Sequence, residues 1–110
     1  MGVCVLIVDD DGAFRRMAGE VLTGRGYDVV AEAGTIAEAR VAIATLCPDA
    51  VLLDIRLPDG NGMTLAEELS GLAPGIRVLL TSSDAASPAP GVGFVAKTDL
   101  IATDLTPYLG

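Results

Sequence analysis

The chain has 110 residues, of which 51% are hydrophobic and 4% aromatic, and its formal net charge is −8. This length fits a single domain over residues 1–110, and the Val-, Ile-, Leu- and Ala-rich composition is typical of a parallel sheet packed between helices. The acidic charge argues against direct binding to nucleic acids or anionic membranes, because their phosphates repel a surface of the same sign.

The cysteines and the N-terminal residues indicate the cellular compartment of the protein. Cys4 and Cys47 show neither metal-ligand spacing nor a disulfide framework, so both are expected to be buried or half-buried free thiols. The first apolar run begins at residue 3, with no charged-then-apolar leader and no long apolar span. A cytoplasmic protein is therefore expected.

Strand and helix patterns alternate along the chain. Short apolar runs predict strands over 3–8, 27–33, 49–54, 76–81 and 94–97. Apolar residues at helical spacing predict helices over 12–26, 35–46, 61–72 and 98–109. Thr35 and Glu38 form a capping box at the start of the second helix, and Thr98 is expected to cap the last one.

Each of the first three predicted helices has an apolar stripe that should face the core. The stripe residues are Phe14, Met17, Ala18, Val21 and Leu22, then Ile36, Ala39, Ile43 and Leu46, then Leu65, Leu69 and Leu72. Alternating strands and helices imply parallel strands joined by right-handed crossovers, with helices on both faces. We therefore predict an α/β fold: a doubly wound sheet of five parallel strands between two helix layers.

Polar residues follow the carboxyl ends of separate predicted strands. Asp9 and Asp10 follow the first, Asp54 ends the third, Thr81 ends the fourth and Lys97 ends the fifth. An aspartate after a strand is usually a turn or cap residue, and a run of three is usually a solvated loop. The whole set at separate strand ends is far less frequent by chance, and ligands bind at this edge of an open parallel sheet.

These residue types point to phosphoryl transfer. Clustered carboxylates repel one another, and a hard divalent cation such as Mg²⁺ relieves the repulsion. A hydroxyl and an ammonium beside the metal would hold the oxygens of a transferring phosphoryl group. Asp54 would then be the nucleophile that forms an acyl phosphate.

Four segments resemble the receiver domains of two-component response regulators: VLIVDDDGAFR, DAVLLDIRLPDGNGM, VLLTSSD and GFVAKTDL. The resemblance covers essentially the whole chain, and its most specific element is the four-residue spacing from Asp54 to Pro58 and on to Gly62. It implies that residues 1–110 form a receiver domain, in the single-domain form, with a flavodoxin-like sheet in the strand order 2-1-3-4-5. It also implies that a partner sensor histidine kinase or phosphotransfer protein phosphorylates Asp54.

The resemblance assigns a metal site to the acidic residues. Asp10, Asp54 and the backbone carbonyl of Arg56 would bind Mg²⁺ directly, and Asp9 would act through water. Thr81 and Lys97 would hold the phosphoryl oxygens.

The resemblance also implies a switch. Thr81 would move toward the phosphate and the ring of Phe94 would turn inward, which remodels the surface around the fourth and fifth strands for an unidentified protein target. A homodimer is compatible with the resemblance, and neither a nucleic acid nor a membrane is an expected direct partner.

One segment departs from the family pattern. Receivers usually place their fourth helix between Thr81 and Phe94, where this chain reads SSDAASPAPGVG. The prolines and glycines at 88, 90, 91 and 93 oppose a full helix. The fourth helix is therefore expected to be absent, or reduced to about one turn at residues 84–87.

Three alternatives remain open at this stage. VLIVDDDGA also resembles the first motif of haloacid-dehalogenase-type phosphatases, in which Asp9 would be the nucleophile and Asp11 the acid. A second reading is a receiver-like interaction module that works without phosphorylation. The chain could also be the receiver of a longer regulator, although its close at LTPYLG without a basic linker favours a stand-alone protein.

Overall fold

The structure is a computed structural model that describes residues 2–83 and 93–110. The predicted loss or shortening of the fourth helix falls at residues 84–87, outside the described residues. Along the described chain, strands and helices follow the predicted alternation, with two additional two-residue strands. In chain order the elements are β1 (Cys4–Val8), α1 (Gly12–Gly24), β2 (Asp28–Ala33), α2 (Ile36–Leu46), β3 (Ala50–Asp54), β4 (Arg56–Leu57), β5 (Gly60–Asn61), α3 (Gly62–Leu72), β6 (Arg77–Ser82), β7 (Gly93–Ala96), a 3-10 turn (Lys97–Asp99) and α4 (Thr106–Leu109).

The main sheet is parallel and has the order β2-β1-β3-β6-β7. This is the predicted order 2-1-3-4-5, because β4 and β5 form a separate small hairpin. Every residue of β3 is buried, as expected for a strand with a neighbour on each side and helices above and below. The flavodoxin-like fold and its two helix layers are thus as predicted.

Side chains alternate between two cores, one on each face of the sheet. One core contains Val5 and Ile7 of β1 together with α1 and the C-terminal segment, and its residues are Val5, Ile7, Phe14, Ala18, Leu22, Ala50, Leu52, Leu79, Val95, Leu100, Leu105 and Leu109. The opposite core contains Leu6 and Val8 with α2 and α3, and its residues are Leu6, Val8, Ala33, Ile36, Ala39, Val51, Leu53, Leu57, Leu65, Leu69 and Leu80.

Side-chain caps begin the three long helices. Asp11 accepts hydrogen bonds from the amides of Ala13 and Phe14, at 3.0 and 3.4 Å, and so caps α1. The hydroxyl of Thr35 accepts from the amide of Glu38 at 3.1 Å, as the capping box predicts. Asn61 caps α3 in the same way, so each helix begins directly after a loop that lies at the carboxyl edge of the sheet.

Three burial predictions are wrong. Leu46 and Leu72 are 47% and 84% exposed, although both continue an apolar stripe. Each is the last residue of its helix, and helical periodicity does not report how far the neighbouring core extends. Cys47 is also exposed, because it adopts a left-handed turn (φ 46°) that leads the chain out of α2. Cys4 is half-buried, as predicted.

The single helix predicted over 98–109 is wrong as well. Lys97–Asp99 forms a 3-10 turn with no side-chain cap from Thr98, and an α-helix follows only at Thr106–Leu109. Pro107 cannot donate a backbone hydrogen bond to the carbonyl of Thr103, which a continuous helix would require. The guanidinium of Arg25 donates to that carbonyl instead, at 2.5 Å.

Candidate functional site

Four polar residues are buried at the carboxyl edge of the sheet: Asp9, Asp54, Thr81 and Ser82. Asp54 ends β3, and Thr81 is its partner on the neighbouring strand β6. Asp9 directly follows β1, on the other side of β3. Their exposed fractions are 0% for Asp9, 5% for Asp54 and 1% for Thr81. Burying ionisable and polar groups costs free energy unless they are paired, so these side chains require compensating charges or hydrogen-bond partners.

The acidic residues converge on one point. Asp9, Asp10 and Asp54 each offer a carboxylate oxygen, and these oxygens lie within 4.8 Å of one another. Asp10 is exposed, whereas the other two are buried. Three oxygen donors with one side open to water are the donor set that Mg²⁺ prefers, because this ion retains part of its hydration shell. The residues present therefore fit a hard divalent cation.

Lys97 supplies the positive charge that faces this cluster. Its Nζ lies 2.7 Å from Oδ2 of Asp9 and 3.4 Å from Oδ2 of Asp54, and its side chain is 17% exposed. The 3-10 turn after β7 carries Lys97, so the edge of the sheet brings it to residues more than forty positions earlier in the sequence. The ammonium also lies over the ring of Phe14, 4.7 Å from the centroid.

Burial and charge shift the titration of two groups in this cluster. Burial raises the pKa of the Asp54 carboxyl, and the charge of Asp9 raises it further, against the lowering effects of Lys97 and of the Arg56 amide. Burial lowers the pKa of the Lys97 ammonium, but the hydrogen bond and charge of Asp9, together with the charge of Asp54, outweigh it, and the pKa is raised. Lys97 therefore remains a cation at neutral pH.

Thr81 adds a buried hydroxyl to this edge of the sheet. Its Oγ1 is buried and makes no hydrogen bond with any of residues 2–83 or 93–110. Most buried hydroxyls in folded proteins are hydrogen-bonded, so a lone one beside a carboxylate cluster is available to an incoming acceptor oxygen.

Comparison with known proteins identifies the family at this point. A sequence model of the response regulator receiver domain matches residues 5–103. The chain belongs to the response regulator receiver domain family. The predicted resemblance is confirmed. Receiver domains of response regulators are phosphoryl acceptors in two-component systems, and they generally bind Mg²⁺ at an acidic pocket.

Curated relatives of this receiver domain include regulators of different length. DevR/DosR of Mycobacterium tuberculosis, a DNA-binding transcriptional activator, is 42% identical over 82 residues, which are 74% of this chain and 38% of that protein. The chemotaxis protein CheY of Thermotoga maritima is 36% identical over 83 residues, which are 76% of this chain and 69% of CheY. The matched region is thus a small part of some relatives and most of others.

Solved structures agree on the fold. A CheY-like receiver domain protein of Methanospirillum hungatei has a TM-score of 0.77 and 28% identity, and the match covers 93% of this chain and 90% of that one. The signal receiver domain of a NarL response regulator of Mycobacterium tuberculosis has a TM-score of 0.79 and 31% identity, with 92% and 91% covered. In the described part of the receiver domain, no helix is long and apolar enough to cross a membrane.

The loop after Asp54 is shaped by Gly62. A Cβ atom at this position would lie 2.1 Å from the carbonyl oxygen of Asp54, so no larger residue fits without moving the backbone. The amide of Gly62 donates to the carbonyl of Ile55 at 2.6 Å, and the amide of Arg56 donates to Oδ1 of Asp54 at 3.4 Å. The chain therefore makes a tight turn directly after Asp54, and this turn brings Gly62 against the Asp54 backbone. The predicted metal contact through the Arg56 carbonyl stays a prediction.

Phe94 lies on β7 next to Leu80 of β6, and its ring is half-buried against the core that contains α2 and α3. Thr81 follows Leu80 on β6, so Phe94 is one position away from direct pairing with Thr81. The movement of Thr81 and Phe94 that the resemblance implies stays a prediction.

Two positioning contacts were not found from the sequence. Arg15 donates from its guanidinium to the carbonyl of Asp9 at 2.6 Å and forms an ion pair with Glu32 of β2 at 3.0 Å. Asp59 accepts from the amides of Ile36 and Ala37, at 2.8 and 3.0 Å, and so ties the loop after Asp54 to the start of α2. Both contacts join distant parts of the chain, and no local pattern signals them.

Proposed function

We propose that this receiver domain accepts a phosphoryl group on Asp54 in a Mg²⁺-dependent reaction, and that its donor is a phosphohistidine of a sensor histidine kinase or phosphotransfer protein. The observation that carries the proposal is the convergence at one sheet edge of the carboxylates of Asp9, Asp10 and Asp54 with the Lys97 ammonium. The hydroxyl of Thr81, which has no hydrogen-bond partner among the residues that the structure describes, supports it.

Asp54 is the acceptor because it is central and constrained. A carboxylate oxygen of Asp54 attacks phosphorus while the phosphorus–nitrogen bond of the phosphohistidine breaks, and the imidazole keeps the electron pair and takes a proton. The product is an acyl phosphate on Asp54. β3 holds the attacking group between two neighbouring strands, so little of its orientational freedom has to be lost at the moment of reaction.

The acidic residues would hold the metal. Asp10, Asp54 and the Arg56 carbonyl are the proposed direct ligands, with Asp9 acting through water. When bound, Mg²⁺ supplies positive charge that offsets the negative charge of the acceptor carboxylate and of the phosphoryl oxygens. Asp10 is the exposed member of the cluster and leaves that side open to water and to the donor.

Lys97 and Thr81 act on the phosphoryl oxygens. The ammonium of Lys97 already faces Asp54 at 3.4 Å, and it would exchange part of its contact with Asp9 for one with a phosphoryl oxygen. The hydroxyl of Thr81 gains the acceptor that it lacks. We propose that this gain moves Thr81 and turns Phe94, and that the remodelled β6–β7 surface binds a downstream protein target.

The haloacid-dehalogenase alternative would use Asp11 as an acid. In this chain the Asp11 carboxylate already accepts two amide hydrogen bonds at the start of α1. A phosphoryl group on Asp9 would be the mark of that alternative.

The test is phosphorylation by acetyl phosphate with Mg²⁺, followed by intact-mass spectrometry. We expect a gain of one phosphoryl group in the wild type, no gain in Asp54→Asn, and no gain when the metal is chelated. A variant of an exposed acid away from the site, Glu67→Gln, is the matched control and should react like the wild type. Equal labelling of Asp54→Asn would contradict the proposal.

A further inference from the structure

Within the described residues, two carboxylates and one aromatic ring lie close to the ammonium of Lys97. Nζ lies 2.7 Å from Asp9 and 3.4 Å from Asp54, and the third neighbour is the ring of Phe14 at 4.7 Å from its centroid. A cation within about 6 Å of an aromatic centroid is attracted by the negative face of the ring. The ring therefore adds an attractive contact to the ammonium besides its two carboxylate contacts.

Phe14 is held rigidly in this place. It lies in the first turn of α1, its amide donates to the capping carboxylate of Asp11 at 3.4 Å, and its side chain is 8% exposed. The ring belongs to the core that also contains Ala18, Leu22 and Leu100. The same first turn follows the acidic residues directly, so α1 fixes the ring relative to Asp9 through a short stretch of chain.

We propose that Phe14 is a positioning residue for Lys97: its ring face holds the ammonium at the distance from which it reaches Asp9, Asp54 and the oxygens of an incoming phosphoryl group. The proposal rests on the proposed function of Lys97 and deepens it. The role requires an aromatic face, not merely an apolar side chain of similar volume.

The attraction matters because the ammonium is largely withdrawn from water. Lys97 is 17% exposed and Phe14 is 8% exposed, so little solvent competes with the ring at this contact. Desolvated cation–ring contacts are stronger than exposed ones. A long, flexible lysine side chain otherwise loses much rotamer freedom when it is held in one arrangement, and a fixed ring lowers that cost at the moment of binding.

The experiment separates the ring's electrostatics from its bulk. Phenylalanines carrying successively more fluorine atoms are placed at position 14, because fluorination weakens the negative potential of the ring face with little change in size. Phe14→Leu removes the ring. Leu22→Val, in the same helix and the same core, is the control for loss of packing. Binding of beryllofluoride with Mg²⁺ is measured by titration calorimetry, and the Lys97 side-chain methylene resonances are measured by NMR.

We expect beryllofluoride affinity to fall stepwise with fluorine number, by about three- to tenfold in total, and not in Leu22→Val. The Lys97 resonances should lose their ring-current shift in Phe14→Leu. An unchanged affinity across the fluorinated series, or Lys97 resonances that do not move in Phe14→Leu, would overturn the proposal. If the wild type itself binds no beryllofluoride, the proposed function fails, and the Lys97 resonances alone decide whether the ring holds the ammonium.

Discussion

Lys97 forms its shorter ion pair with Asp9, at 2.7 Å, and its longer one with Asp54, at 3.4 Å. The carboxylate proposed as phosphoryl acceptor is therefore not the principal partner of the lysine. Asp9 holds the ammonium beside the acceptor, and Asp54 itself accepts a longer hydrogen bond from Lys97. This arrangement keeps a positive charge next to the place where phosphoryl oxygens would arrive.

Asp9→Asn should lower the pKa of Lys97. The hydrogen bond and charge of Asp9 are the principal effects that raise this pKa against the lowering effect of burial. We expect the Lys97 methylene carbon to titrate at a lower pH in the variant, as followed by NMR. Asp54→Asn is the matched control and should lower the pKa less, because Asp54 contributes less. A Lys97 pKa that does not change in Asp9→Asn would contradict the assigned partner.

Asp54→Asn should stabilise the metal-free protein. The folded-state pKa of Asp54 is raised above its ordinary value of 3.8, so its ionisation costs more in the folded than in the unfolded state. This cost appears as the pH rises from 3.8 through the folded-state pKa, and it is fully present at neutral pH. We expect the free energy of unfolding at pH 7 to be about 1 kcal/mol higher in the variant, with chelator present.

The pH profile provides the control for this stability prediction. Below pH 3.8 the Asp54 carboxyl is protonated in both states, and the advantage of Asp54→Asn should vanish. Urea denaturation at a series of pH values measures the difference. The contradicting result is a variant that is less stable than the wild type at pH 7, with a difference that disappears in acid. That result would show that the Asp54 charge stabilises the folded state.

Magnesium should stabilise the wild type but not variants that lack a proposed metal ligand. A ligand that binds only the folded state adds about 2.7 kcal/mol at one hundred times its dissociation constant. We expect added Mg²⁺ to raise the free energy of unfolding of the wild type and to leave Asp10→Asn and Asp54→Asn almost unchanged. Ca²⁺ at the same concentration distinguishes a site for small octahedral ions from general screening of acidic charge. Equal stabilisation of all three proteins would place the ion elsewhere.

Two glycines of α3 should respond to alanine in opposite directions. A Cβ at Gly62 would meet the Asp54 carbonyl oxygen at 2.1 Å, whereas a Cβ at Gly71 has nothing within 4 Å. Gly62→Ala should lower the free energy of unfolding by about 3 kcal/mol and weaken Mg²⁺ binding, because the loop after Asp54 has to move. Gly71→Ala should raise stability by up to about 1 kcal/mol through helix propensity. Thermal or urea unfolding of the pair checks both.

The positions of the polar site residues at strand ends could be predicted from the sequence. Parallel strands end at one edge of their sheet, so the sequence alone places the polar residues after separate strands near one another. The chain supplied clear strand patterns and breakers, and Asp54, Thr81 and Lys97 followed directly from them. The helix cap at Thr35 was predictable because it depends on a short, local pattern, whereas the sheet order was implied by the family resemblance.

The sequence did not predict what depends on contacts between distant residues. The final helix is interrupted at Pro107, which has no amide to donate to the carbonyl of Thr103. The Arg25 guanidinium donates to that carbonyl instead, and helical periodicity over 98–109 gives no sign of this contact. Leu72 continues an apolar stripe and still lies in solvent, because periodicity gives direction and not the extent of the core. The contacts of Arg15 with Asp9 and Glu32 depend on the register of β2 against β1, which the sequence alone does not specify.

Chemical trapping of the acyl phosphate identifies the residue that carries the phosphoryl group. The protein is treated with acetyl phosphate and Mg²⁺, the acyl phosphate is reduced with borohydride, and the resulting homoserine is located by peptide sequencing in a mass spectrometer. We predict homoserine at position 54 alone. Homoserine at position 9, or none at any position while the mass gain persists, would contradict the central claim that Asp54 is the acceptor.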